Sequence, residues 1–190
     1  MFIQTEATPN PATLKFIPGR SVLPSGTLEY REAEAATASP LAARLFGIDG
    51  VTGVFLGQDF ISVSKSEPLA WQHLKPAVLG AIMEHFMSGA PVVAGAEPAV
   101  GAAADNGSED FAAEDQDIVD TIKELIETRV RPAVANDGGD IVFRGFREGV
   151  VTLHMRGACA GCPSSTATLR NGIENLLKHY VPEVMEVRAA

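Results

Sequence analysis

Val151-Thr152-Leu153-His154-Met155-Arg156-Gly157-Ala158-Cys159-Ala160-Gly161-Cys162-Pro163-Ser164-Ser165 changes its period partway along. The first six residues alternate apolar and polar, as a strand with one buried and one wet face requires. Pro163 then suits a first helical position, and Leu169, Ile173, Leu176, Leu177 and Tyr180 recur at helical spacing until Pro182. Upstream, Arg147-Glu148-Gly149 joins the strand to Ile141-Val142-Phe143-Arg144-Gly145-Phe146 as a hairpin, and Asn136-Asp137-Gly138-Gly139-Asp140 is turn chemistry. Earlier still, Ile118, Ile122, Leu125, Ile126 and Val130 mark the apolar stripe of a helix that Asp115 caps and Pro132 ends or kinks. Val184 to Val187 gives a last strand. The order helix, strand, strand, helix, strand predicts a sandwich for residues 114–190, with two helices on one face of a three-stranded sheet.

The first half reads as a separate α+β domain over residues 1–88. Short strand-like pieces, Phe2-Ile3-Gln4-Thr5 and Thr13-Leu14-Lys15-Phe16, are punctuated by prolines. Ser39-Pro40 supplies a cap and a first-turn proline for Leu41–Phe46, and Gly47 ends that helix. Val51–Phe55 and Phe60–Val63 form a hairpin, and a longer helix from Pro68 carries Trp71, Leu74, Val78, Ile82 and Phe86 on its buried face. Between the halves, residues 89–113 are rich in Gly, Ala, Pro and acid, and predict a flexible linker. The fold class is α+β in two small domains.

Charge excludes one class of partner. The formal charge is −9, and the stretch 94–117 holds seven Asp and Glu with no Lys or Arg. A chain without a basic stripe lacks the phosphate neutralisation on which nucleic-acid affinity rests. No apolar run reaches the roughly 18 residues of a membrane span. The start, Met1-Phe2-Ile3-Gln4-Thr5-Glu6, has neither a secretory nor a transit-peptide character, which leads to the expectation of a cytoplasmic, bacterial protein.

The chain has two cysteines, three positions apart, too few for a disulfide scaffold. In a tight loop two such sulfurs point at one atom or at adjacent metals, and Gly157 and Gly161 permit the backbone turns. At a helix start, free N–H groups and the dipole favour the thiolate, so Cys159 and Cys162 are expected to ionise readily. Ser164, Ser165 and Thr166 offer hydroxyls to cap the helix or bond to sulfur. Arg156 and Arg170 read as solvated surface charges, and His73, His85, His154 and His179 as non-ligands. By itself the pair fits half a cluster site, half a zinc site or a dithiol redox centre. No Ser-His-Asp set or acid/base pair is apparent, so no catalytic residue is assigned and the chain is not expected to be an enzyme.

The segment Asn136–Asp140 followed by Gly157–Ser165, continuing through Leu169-Arg170-Asn171-Gly172-Ile173-Glu174, resembles the C-terminal domain of NifU-like iron–sulfur scaffold and carrier proteins. Thr8-Pro9-Asn10-Pro11-Ala12-Thr13-Leu14-Lys15-Phe16 is similar to the N-terminal domain of the Nfu branch. The resemblance implies a carrier that receives a 4Fe-4S cluster, with 2Fe-2S as the alternative, from upstream cluster assembly proteins and delivers it to apo iron–sulfur proteins. Cys159 and Cys162 match the family's ligands. A cubane usually takes four thiolates, so a chain with two is expected to share one cluster in a cluster-dependent homodimer. The rival is a CxxC dithiol–disulfide oxidoreductase.

Overall fold

Alternation along Thr13-Leu14-Lys15-Phe16-Ile17 sends Leu14 and Phe16 to one side of a strand, and Phe16 is fully buried. A computed structural model of the chain describes residues 1–94, 109–161 and 163–190. They fall into two units, Met1–Ala104 and Asp105–Ala190.

In unit 1 the strands are β1 (Gln4–Ala7), β2 (Thr13–Ile17), β3 (Leu28–Tyr30), β4 (Val51–Leu56) and β5 (Ile61–Lys65), and the helices α1 (Pro40–Phe46) and α2 (Trp71–Ser88). The sheet order is β1-β2-β5-β4-β3, every neighbour antiparallel. Leu41, Leu45, Val78 and Ile82 of the helices close on Phe16, Val54, Leu56, Ile61 and Val63 of the sheet. Ser39 caps α1 as expected: its Oγ accepts from the Ala42 N–H at 3.1 Å. The same hydroxyl donates to the Val92 carbonyl at 2.6 Å, and the Ala94 N–H donates to Ala38 O at 2.8 Å. Unit 1 therefore holds residues 92–94, which composition alone assigns to the linker; residues 95–108 of that linker lie outside the described residues. The α2 helix starts at Trp71 rather than Pro68, and its His85 is buried with neither ring nitrogen hydrogen-bonded.

Unit 2 contains β6 (Asp110–Phe111), α3 (Gln116–Leu125), α4 (Arg131–Asn136), β7 (Gly139–Arg147), β8 (Val150–Gly157), α5 (Pro163–Tyr180) and β9 (Glu186–Ala189). The α+β class and the helix-strand-strand-helix-strand order stand. The sheet is four-stranded rather than three, in the order β6-β7-β8-β9, because the two-residue β6 adds a parallel edge to β7. Pro132 does not end the first helix. A π turn, Ile126–Val130, widens the coil just before it, and α4 continues beyond. Proline lacks an N–H and crowds the preceding turn, and an inserted residue relieves both. Val119, Ile122, Ile126, Val130, Val134, Ile173 and Leu177 cover Ile141, Phe143, Val151, Leu153 and Met155 in one core.

Tyr180, read as part of the apolar stripe, is 46% exposed, with the Arg129 guanidinium 5.4 Å from its ring centre. The last strand lies two residues later than expected and pairs parallel with β8. Its outward Val187 N–H donates to the Glu174 carboxylate at 3.0 Å, which occupies one donor of that edge. No helix among the described residues is long and apolar enough to cross a membrane.

Candidate metal centre

Gly139 opposite Gly157 is the first register pair of the β7–β8 hairpin, and the chain leaves it with Gly157 at φ 62° and Gly161 at φ 82°. Both values lie in the left-handed region, where glycine fits without strain. The Ala158 N–H donates to Gly138 O at 3.2 Å and the Ala160 N–H to Gly157 O at 3.1 Å. Thr166 Oγ1 donates to the Cys159 carbonyl at 3.1 Å. Of the hydroxyls expected to serve sulfur or the helix cap, this one therefore ties α5 to the loop backbone.

Cys159 is a free thiol, 5% exposed, and packs with the core of unit 2. Burial, followed by the carboxylates of Asp137 and Asp140, pushes it up to about 12. The expectation of a readily ionised Cys159 is thereby corrected: loss of hydration and nearby negative charge both oppose the thiolate, and they outweigh the helix start. Cys162 lies outside the described residues.

Sequence reasoning missed the parts that hold this thiol. A Cβ on Gly139 would overlap Cys159 Sγ and lie 2.7 Å from Arg156 O. Gly139 does not have the positive φ of the neighbouring Gly138, so close approach, not turn chemistry, demands glycine there. Next to it Asp140, 3% exposed, accepts from Arg131 Nε at 2.8 Å and Nη2 at 2.9 Å, and from the Ile141 N–H at 2.8 Å. That two-point contact fastens α4 to the start of β7. Arg156, opposite Asp140 in register, is 8% exposed and so not the solvated surface charge expected from alternation. Arg170, on α5, is half-buried. Among the described residues no group of three or more His, Cys, Asp or Glu side chains is arranged to hold a metal ion.

Residues 3–89 match the family described as scaffold protein Nfu/NifU N terminal, and residues 122–188 match the NifU-like domain. The human NFU1 iron-sulfur cluster scaffold homolog, mitochondrial, is 50% identical over 185 residues, covering 97% of this chain and 70% of that protein. NifU-like protein 4, mitochondrial, of Arabidopsis thaliana is 49% identical over 190 residues, covering 98% of this chain and 65% of its own length. The solution structure of a NifU-like protein from Saccharomyces cerevisiae aligns with a TM-score of 0.46 at 23% identity, covering 50% of this chain and 87% of that one. The expectation of a bacterial cytosolic protein is corrected by these relatives, which are mitochondrial by name. The N-terminal hexapeptide on which it rested carries no such information in a chain that spans 65% to 70% of their length.

Proposed function

This chain belongs to the Nfu/NifU iron–sulfur cluster scaffold family, and we propose that it carries a 4Fe-4S cluster as cargo on Cys159 and Cys162, shared between two chains. The cluster passes from upstream assembly proteins to apo iron–sulfur proteins, and the chain performs no turnover chemistry of its own. The observation that carries this reading is Cys159, a free thiol fixed between β8 and α5, with the second cysteine three residues on. Thiolate sulfur is the ligand that iron–sulfur clusters take, commonly four to a cubane, and two chains supply that number. Each thiol gives up its proton on binding, so cluster loading is favoured by rising pH.

In this reading the first domain, expected over residues 1–88, extends to residues 92–94, the cluster-bearing domain, expected over 114–190, takes in β6 at Asp110–Phe111, and the rest of residues 89–113 links them. A 2Fe-2S cargo needs the same thiols and differs in iron count. The dithiol oxidoreductase has no comparable support: neither family match nor the named relatives point to it, and a nucleophile at Cys159 would have to ionise from a buried thiol pushed up to about 12.

The test is anaerobic reconstitution with iron and sulfide, read by native mass spectrometry. A dimer holding one four-iron cluster, absent from Cys159→Ala and Cys162→Ala, is the expected result. A monomer with a complete cluster, or a single-cysteine variant that still dimerises around one, refutes the shared site. Transfer is read as activation of an apo-acceptor in the presence of an iron chelator; a cluster inert to every acceptor refutes the carrier.

A further inference from the structure

At the far end of the β7–β8 hairpin from Cys159, unit 2 opens into a groove of about 510 Å³. That volume falls within the roughly 300–1,000 Å³ of ligand-binding clefts. Its floor is apolar, made by Phe111, Ile118 and Phe146. Its rim is acidic: Glu114 and Asp115 ahead of α3, Glu148 in the β7–β8 turn, and Glu183 ahead of β9. Met185, 70% exposed, lies against Gly149, which lines the groove.

Arg147 lines the groove as well, but Asp110 engages its guanidinium at 2.6 Å, and Glu109 engages Lys123 nearby. None of Glu114, Asp115, Glu148 and Glu183 has an ion-pair partner among the described residues. An apolar floor inside an unneutralised anionic rim fits one chemistry, an apolar anchor flanked by positive charge. The chain's own linker does not supply it, because residues 89–113 hold four acids and no Lys or Arg. A second copy, of formal charge −9, meets like charge with like.

We propose that this groove docks a segment of a partner protein in which an aliphatic or aromatic side chain is flanked by Lys or Arg. The eight to nine residues of β7 separate the groove from the cysteine loop by about 25 Å at strand rise. A partner seated there leaves Cys159 uncovered. The inference does not rest on the cluster reading, and its test uses the metal-free chain.

Fluorescein-labelled peptide KRLLKFLRK is titrated into the full-length, metal-free, ¹⁵N-labelled chain, beside the acidic peptide EDLLEFLDE and the polar peptide KRSSKSSRK. The expected result is binding of the first alone, with amide shifts centred on Phe111, Ile118, Phe146 and Gly149, weakened by salt. The exposed double variant Glu114→Lys/Glu183→Lys, checked for fold by circular dichroism, is expected to bind about tenfold or more weakly. No binding, shifts centred elsewhere, equal binding of the acidic peptide, or an unchanged affinity in the double variant overturns the proposal. So does sedimentation showing a metal-free dimer that the double variant disrupts, which assigns the groove to a second copy.

Discussion

Gly139→Ala tests how the cysteine loop is held. The new methyl would overlap Cys159 Sγ, and it would lie 2.7 Å from Arg156 O and 3.0 Å from Cys159 N. A thiol can rotate away, but two of the three obstacles are backbone of β8 and of the loop itself. Relief therefore requires the hairpin end to open. Overpacking of this kind costs about 1–3 kcal/mol, and with a thiol that can rotate away and two backbone atoms that cannot, the change is placed at about 2 kcal/mol. For a unit of this size about 2 kcal/mol lowers the melting temperature by roughly 8–16 °C. The assay is thermal unfolding of the metal-free chain followed by far-ultraviolet circular dichroism. The single tryptophan, Trp71, lies in unit 1, so its fluorescence transition serves as an internal reference. Gly172→Ala is the control in the opposite direction: nothing lies within 4 Å of its Cβ position, in the middle of α5. That change should stabilise unit 2 by about 0.5–1 kcal/mol. If Gly139→Ala unfolds within about 2 °C of the parent, or shifts no more than its control, the close-packing argument is wrong.

Asp140→Asn leaves Arg131 facing a neutral amide and should destabilise unit 2 by about 2–3 kcal/mol, below the full cost for a buried pair because the Arg131 side chain is 31% exposed. A loss under about 0.5 kcal/mol in denaturant unfolding counts against the clamp. His85 is held below its ordinary 6.5 by burial and then by Arg44, so unit 1 stability should be level above about pH 6.5 and fall as the pH drops below it. Trp71-monitored unfolding of His85→Leu should show a flatter acid limb, and identical limbs refute the assignment. In metal-free Cys162→Ser, Cys159 should react with iodoacetamide far more slowly than free cysteine at neutral pH. Its contribution to stability is present below about pH 9 and lost as pH rises towards about 12. Alkylation at the rate of free cysteine refutes its burial.

What the sequence revealed depended on how local the cause was. Ser39-Pro40 announces its helix because cap and first turn are adjacent, and the structure forms that very bond. The hairpin at Arg147–Val150 was legible for the same reason, from Glu148-Gly149 between alternating strands. β6 was not, because Asp110-Phe111 sits in an acidic stretch and becomes a strand only by meeting Gly145 and Phe146, 35 residues on. A Cβ on Gly145 would come 2.6 Å from Asp110 O, so the partner glycine permits the approach. Arg156 shows the limit of alternation, which assigns a residue to a face without telling how deeply that face is covered. The strand-to-helix loop that carries Cys159 was legible from the change of period; Gly139 as the wall behind Cys159 was not, since that contact joins the two ends of a long hairpin.

Cys159 makes the same point in energies. A helix N-terminus favours an anion by about 0.3–1 kcal/mol at an exposed site, less than one unit on a thiol's titration. The opposing effect of burial, with Asp137 and Asp140 adding to it, moves Cys159 from an ordinary 9.0 to about 12. That corresponds to about 4 kcal/mol against the thiolate. Local sequence reveals the dipole, whereas the burial arises from α3, α4 and α5 packing over the sheet, so reasoning from the loop alone chose the weaker effect. If Cys159 holds the proposed cargo, its proton leaves at neutral pH only in exchange for a metal cation, whose charge at bonding distance replaces the hydration that the thiolate has lost. The proposed cargo site requires that behaviour, and a redox nucleophile, which must ionise before its partner arrives, is poorly served by it.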